Sequence, residues 1–223
     1  GLQEIGERAF EDTKFKGELR IPESVTIIGS EAFKGNLFNG TLVLPSELLS
    51  LGSSAFYGCW RLSGIVQFPP NIISLPQSVF YGCTGLEGIK LHKDIEVIEA
   101  DAFKNCTGIY SIVCEAKNPP TISANSFNGV AKDNFTIEVP EASVNLYRNT
   151  SRWSEFKRFA AHREFSISRN LFRTLNAECS KTFTLRAPSG ENWSIESKPD
   201  WVTVSPASGT GKMDVTVTVN SLA

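Results

Sequence analysis

Six phenylalanines recur along this chain with a period that few folds can absorb. Phe10, Phe33, Phe56, Phe80, Phe103 and Phe127 are separated by 23, 23, 24, 23 and 24 residues. Five residues before each stands an aliphatic side chain: Ile5, Ile28, Leu51, Leu75, Ile98 and Ile122. Immediately before each is a small or β-branched residue: Ala9, Ala32, Ala55, Val79, Ala102 and Ser126. Cys59, Cys83 and Cys106 follow their Phe by three. Self-similarity at a fixed period of this length means stacked supersecondary units.

Every repeat also holds a short segment with strand periodicity. The segments read GELRIP at 17–22, GTLVLP at 40–45, IVQFP at 65–69, GIKLH at 88–92, SIVCE at 111–115 and FTIEVP at 135–140. Alternation directs Leu19 and Ile21, Leu42 and Leu44, Val66 and Phe68, Ile89 and Leu91, Ile112 and Cys114, Ile137 and Val139 inward. One such coil cannot bury its own apolar face, whereas stacked coils can. The expectation is a mainly β solenoid of about six coils with the Phe residues in one buried column.

The combination of I-G-x-x-A-F-x-G-C with L-x-x-I-x-L-P at this period resembles the BspA-like (Treponema pallidum-type) leucine-rich repeats over residues 2–160. Pro76 replaces Gly in the fourth copy, and His92 and Glu115 stand where other copies have Pro. The run at 139–159 breaks the pattern. Pro140 can open a helix, and Val144, Leu146, Tyr147, Trp153, Phe156 and Phe159 supply an apolar face. It is expected to cover the end of the solenoid, so that residues 1–163 form the repeat domain with its helical C-terminal cap. The chain opens mid-repeat at Gly1 without Met, so upstream sequence and a removed leader are expected.

From about Phe165 the texture changes to short Thr- and Val-rich strands, KTFTLRAP, NWSIES, DWVTVSP and MDVTVTVN, separated by turn signals at 188–192 and 206–212. Residues 164–223 read as a small Ig-like antiparallel β-sandwich. The Trp193 and Trp201 pair, the Ser-Pro-x-Ser-Gly-x-Gly turn and the V-x-V-x-V-x-N strand resemble the BACON domain of Bacteroidetes surface proteins. Measured against that family, either the domain is shortened or the sequence is cut within it, and in both cases an unpaired sheet edge is expected.

The chemistry-bearing residues are few. Cys59, Cys83 and Cys106 share one repeat position, so they form a straight ladder; three thiols can meet a zinc ion, but a collinear row favours buried structural thiols. Only two histidines exist, His92 and His162, and neither is assigned to a Cys–His pair. GTGK at 209–212 lacks the leading Gly and trailing Ser/Thr of a phosphate loop and reads as a hairpin turn. No carboxylate pair suggests a glycosidase. No catalytic residue, metal or cofactor is nominated. Trp193 and Trp201 either fill the sandwich core or stack on sugar rings.

The outward row of the solenoid strands is the candidate partner surface: Arg20, Val43, Gln67, Lys90, Val113 and Glu138, with Ile65 beside them. The bland alternative is an ordinary solvated sheet. Lys and Arg total 22 against 24 Asp and Glu, and a net charge of −2 gives no footprint for nucleic acid. No apolar run approaches the roughly 18 residues that span a bilayer. Both resemblances imply an exported, outer-membrane-surface or extracellular, non-enzymatic protein; a monomer is expected. It would recognise a host extracellular protein or a glycan such as mucin. The alternatives are a display stalk or spacer, or an accessory carbohydrate-binding protein.

Overall fold

The computed structural model describes residues 1–162, 179–186, 192–194, 202–210 and 212–219. The chain divides into two compact units, Gly1–Arg163 and Glu164–Ala223.

The first unit is a solenoid in which each coil contributes a two-residue strand and then a longer one. In chain order these are β1 (Glu4–Ile5) and β2 (Lys16–Arg20), β3 (Ile27–Ile28) and β4 (Leu37–Val43), β5 (Ser50–Leu51) and the pair β6 (Leu62–Ser63) and β7 (Ile65–Gln67). β8 (Ser74–Leu75) and β9 (Gly88–Leu91), β10 (Val97–Ile98) and β11 (Ser111–Cys114), and β12 (Thr121–Ile122) and β13 (Ile137–Pro140) complete six coils. A seventh rung, β14 (Phe159–His162), pairs in parallel with β13, Ile137 opposite Phe159 and Pro140 opposite His162. The long strands form two parallel sheets, ordered β2-β4-β6 and β14-β13-β11-β9-β7. They part at Gly64, whose φ of 72° lies between β6 and β7.

The motif explains each corner. The residue two before each Phe is left-handed: Arg8, Glu31, Ser54, Ser78, Asp101 and Asn125 have φ from 56° to 61°. So is the residue two after it: Asp12, Gly35, Gly58, Gly82, Asn105 and Gly129. The second site takes Gly, Asp or Asn, the residues that tolerate this region at least cost. The two reversals turn every Phe inward, and the corners are stitched between coils, with Phe56 N–H donating to Val79 O at 2.9 Å and Phe80 N–H to Ala102 O at 2.9 Å. The Gly of the repeated I/L-G dipeptide serves a different end. A Cβ on Gly52 would lie 2.2 Å from the Ser30 nitrogen, so only Gly lets these two coils approach.

The expected columns are present. Consecutive Phe rings stack at centroid distances of 5.5, 5.3, 5.3, 5.8 and 5.3 Å, nearly parallel throughout. Ile5, Ile28, Leu51, Leu75, Ile98 and Ile122 are all buried, as are the inward strand residues from Leu42 to Val139. Leu19 and Ile21, in the first coil with a neighbour on one side only, are half-buried.

The end of the solenoid differs from expectation. Residues 139–159 are not one helical cover. β13 runs to Pro140, then come a 3-10 turn at Glu141–Ser143, a short helix α1 (Val144–Asn149), a second 3-10 turn at Trp153–Glu155, and β14. The cap is therefore a seventh coil with a helical connection. Tyr147, Trp153, Phe156 and Phe159 are buried as expected, but Leu146 is exposed, because the other flank of α1 faces the core. Phe156 closes the ring column edge-on against Phe127 at 5.5 Å. Trp153 Nε1 donates to Pro120 O at 2.7 Å, the Tyr147 hydroxyl to Ala116 O at 2.8 Å and Ser143 Oγ to Lys117 O at 2.7 Å.

In the second unit β15 (Cys179–Arg186), β16 (Asn192–Ser194), β17 (Val202–Ser205), β18 (Ser208–Thr210) and β19 (Lys212–Val219) form two antiparallel sheets, β15-β19-β17 and β16-β18. Residues 206–212, expected to be a turn, contain strand β18. Its Gly209 pairs with Trp193, a partner too distant in sequence for local composition to reveal.

Candidate functional site

The strand face is built by pairing, not by any single motif. Register places Gln67, Lys90, Val113 and Glu138 in one row across β7, β9, β11 and β13. Ile65, Gly88 and Ser111 form the row beside it. Arg20 and Val43 are paired on the neighbouring sheet. Val43 is 63% exposed and Ile65 42%, Arg20, Gln67 and Glu138 are exposed, and Lys90 and Val113 are half-buried. The break at Gly64 separates Arg20 and Val43 from the four-residue row, so the seven candidate residues form two adjoining strips.

The charged side chains on this face have partners on it. Arg20 binds Glu18 at 2.9 Å, Lys90 binds Glu115 at 2.8 Å, and His162 Nδ1 lies 2.9 Å from Glu138 Oε2. What remains open is Gln67 together with apolar side chains: Val43, Ile65 and, at the rim, Tyr110, which is 59% exposed. Tyr110 was not foreseen, because it stands one residue before β11, outside the alternating segment. Its hydroxyl donates to Glu87 Oε2 at 3.1 Å, and that carboxylate holds the phenol above its ordinary range.

The cysteine ladder is occupied by backbone. The Cys59, Cys83 and Cys106 thiols donate to the carbonyls of Phe33, Phe56 and Phe80 in the preceding coil at 3.1, 3.1 and 2.9 Å. Asn36 occupies the same repeat position one coil earlier and donates to the Phe10 carbonyl. The position is thus a slot for a side-chain donor, a rule that the three cysteines alone do not reveal. Burial pushes the Cys59 and Cys106 thiols up to about 12 and raises Cys83 as well. Among the described residues no cluster of His, Cys, Asp and Glu could hold a metal ion. His92 is engaged by its surroundings: Nε2 lies 3.1 Å from Ile72 O, and Nδ1 accepts from Asp94 N–H at 3.2 Å.

Of the two tail tryptophans, Trp201 lies outside the described residues, and Trp193 is described only by its backbone pairing in β16. The Cys179 backbone is in β15 opposite Val219. No helix of the described residues is long and apolar enough to cross a membrane.

Comparison with known proteins bears on both units. No curated protein matches the chain. A solved leucine-rich repeat protein from Bacteroides ovatus ATCC 8483 is similar, with 17% identity over 73% of this chain and 82% of that one and a TM-score of 0.22. Residues 164–223 match the model of the viral BACON domain. Residues 3–134 match six copies of the BspA type leucine rich repeat region, more than half of the chain, and the protein belongs to that family.

Proposed function

We propose that this protein is a non-enzymatic recognition module, displayed at the cell surface, that binds a host extracellular protein or glycan through the strand face of its solenoid. The observation that carries this reading is the register of Gln67, Lys90, Val113 and Glu138 across four strands, with Val43 and Ile65 exposed beside them. A rigid ladder fixes side chains at the regular strand spacing of about 4.8 Å, and repeat proteins use such surfaces for partners. Family membership supports the surface location.

The internal pairing of the face's charges favours a second reading, an architectural stalk whose sheet is simply solvated. Binding of the full chain to immobilised fibronectin, fibrinogen and mucin separates the two. Saturable binding that falls at least tenfold in V43D/I65K, with an unchanged melting profile, is expected. Absence of binding to all three at micromolar concentration, or binding insensitive to this pair, would refute recognition through the strand face.

A further inference from the structure

Cations are distributed unevenly in their pairing. In the first six coils eleven Lys and Arg residues are described, and eight of them form ion pairs: Arg8, Lys14, Arg20, Lys34, Lys90, Lys93, Lys104 and Lys132. The seventh coil inverts this. Arg148, Arg152, Lys157 and Arg158 fall within eleven residues, all are exposed, and none forms an ion pair among the described residues. The coil's carboxylates are Glu141, exposed at its start, and Glu155, which Lys132 of the preceding coil neutralises. A chain of net charge −2 thus concentrates unpaired positive charge on one coil.

The same coil borders a cleft. It has a volume of about 540 Å³ and is lined by Phe127, Asn128, Lys132, Asn134, Glu155 and Lys157, among others including Asp133. That volume lies within the range of about 300–1,000 Å³ typical of ligand clefts. Asn128 spends an amide N–H on Asn125 Oδ1 at 2.9 Å, which leaves its own carbonyl oxygen as an acceptor. The amides and the Lys132–Glu155 pair suit hydroxyl groups, Asp133 adds a carboxylate without an ion pair among the described residues, and Lys157 joins the cleft to the cationic cluster.

We propose that the seventh coil is a second binding surface, separate from the strand face, and that it takes a sulfated polysaccharide. One observation fits any oxyanion, and two more favour this class over nucleic acid and lipid. Three of the four cations are Arg, whose planar fork matches tetrahedral and planar oxyanions. The coil's aromatics Tyr147, Trp153, Phe156 and Phe159 are buried, so it offers no ring on which a nucleic-acid base could stack. Its exposed apolar side chains are limited to Leu146, too little to anchor in a lipid interface. Salt weakens such binding because exposed charge pairs are screened.

The test is isothermal titration of the full chain with heparin, fully desulfated heparin, a 20-base-pair DNA duplex and vesicles of phosphatidylcholine with 20% phosphatidylserine. R152E/K157E/R158E is compared with K14E/K16E/R20E, which makes the same charge change on the first coil. Arg148 is left intact because its guanidinium also donates to Phe159 O at 3.2 Å. Expected is heparin binding that weakens with salt, is lost on desulfation, falls at least tenfold in the seventh-coil variant and changes less than twofold in the first-coil variant. Equal losses in both variants, no binding at low salt, or DNA or vesicles bound as tightly as heparin would each overturn the proposal. V43D/I65K should bind heparin normally, so this test and that of the strand face fail independently.

Discussion

At the residue scale the repeated position three after each Phe is the most informative. Its side chain adds a second donor to a carbonyl that already accepts from its own coil, as Phe56 O does from Cys59 N–H at 3.1 Å. The sequence makes the cysteines conspicuous and Asn36 invisible, since the common property is donation and not residue type. Burial keeps these thiols protonated, with Cys114 also pushed up, to about 11. An unfolded thiol loses its proton near pH 8.5, whereas the folded ones hold theirs to about 11 or 12. The folded-state values are raised, so this contribution is complete below about pH 8.5 and is lost as pH rises. The slope is up to about 1.4 kcal/mol per pH unit for each thiol. Urea midpoints at pH 8, 9.5 and 10.5 should therefore fall steeply, and C59S/C83S/C106S, which keeps the donors and removes three titrating groups, should fall less. An identical slope in the variant would mean that the thiols do not drive alkaline unfolding.

At the element scale the seventh coil shows how far the sequence could be read. Repeat columns were legible because six copies averaged out local irregularity: the Phe stack, the aliphatic column and the inward strand residues follow from periodicity alone. The two-residue strands β1, β3, β5, β8, β10 and β12 were not, since two residues carry no period. β14 reads Phe-Ala-Ala-His, without the apolar alternation of the other rungs or the terminal Pro that four of them carry, and its strand character comes from pairing with β13. That coil holds on through side chains reaching back to residues 116–120. Trp153→Phe removes the donor to Pro120 O and part of a fully buried ring. A buried carbonyl left without its partner costs about 1–3 kcal/mol, and the vacated volume adds to this. A loss of about 2–4 kcal/mol is expected in the solenoid's denaturation, against less than about 0.5 kcal/mol for exposed Leu146→Ala. Equal effects would show that the coil is not anchored through Trp153.

At the scale of the whole molecule the candidate surfaces were less legible than the fold, for an electrostatic reason. Alternation tells which side chains face out, but Lys90–Glu115 and Glu138–His162 join adjacent coils. Whether a face is charged or neutral therefore emerges only with register. The contrast between mostly paired cations in six coils and unpaired ones in the seventh arises in the same way.

The same nearest-neighbour logic governs stability along the solenoid. Each coil is held by the coils beside it, and the two ends of this array are unequal. In the first coil Phe10 is half-buried and Phe15 is 50% exposed. The seventh coil buries Tyr147, Trp153 and Phe156 against the sixth. Coils with fewer buried contacts open at lower free energy. Amide hydrogen exchange of the full chain should thus be fastest in β1 and β2, slow through β9 and β11, and nearly as slow in β13. Protection uniform from residue 3 to residue 162 would mean that the solenoid opens as a single unit, and the end-to-end inequality of packing would then have no energetic consequence.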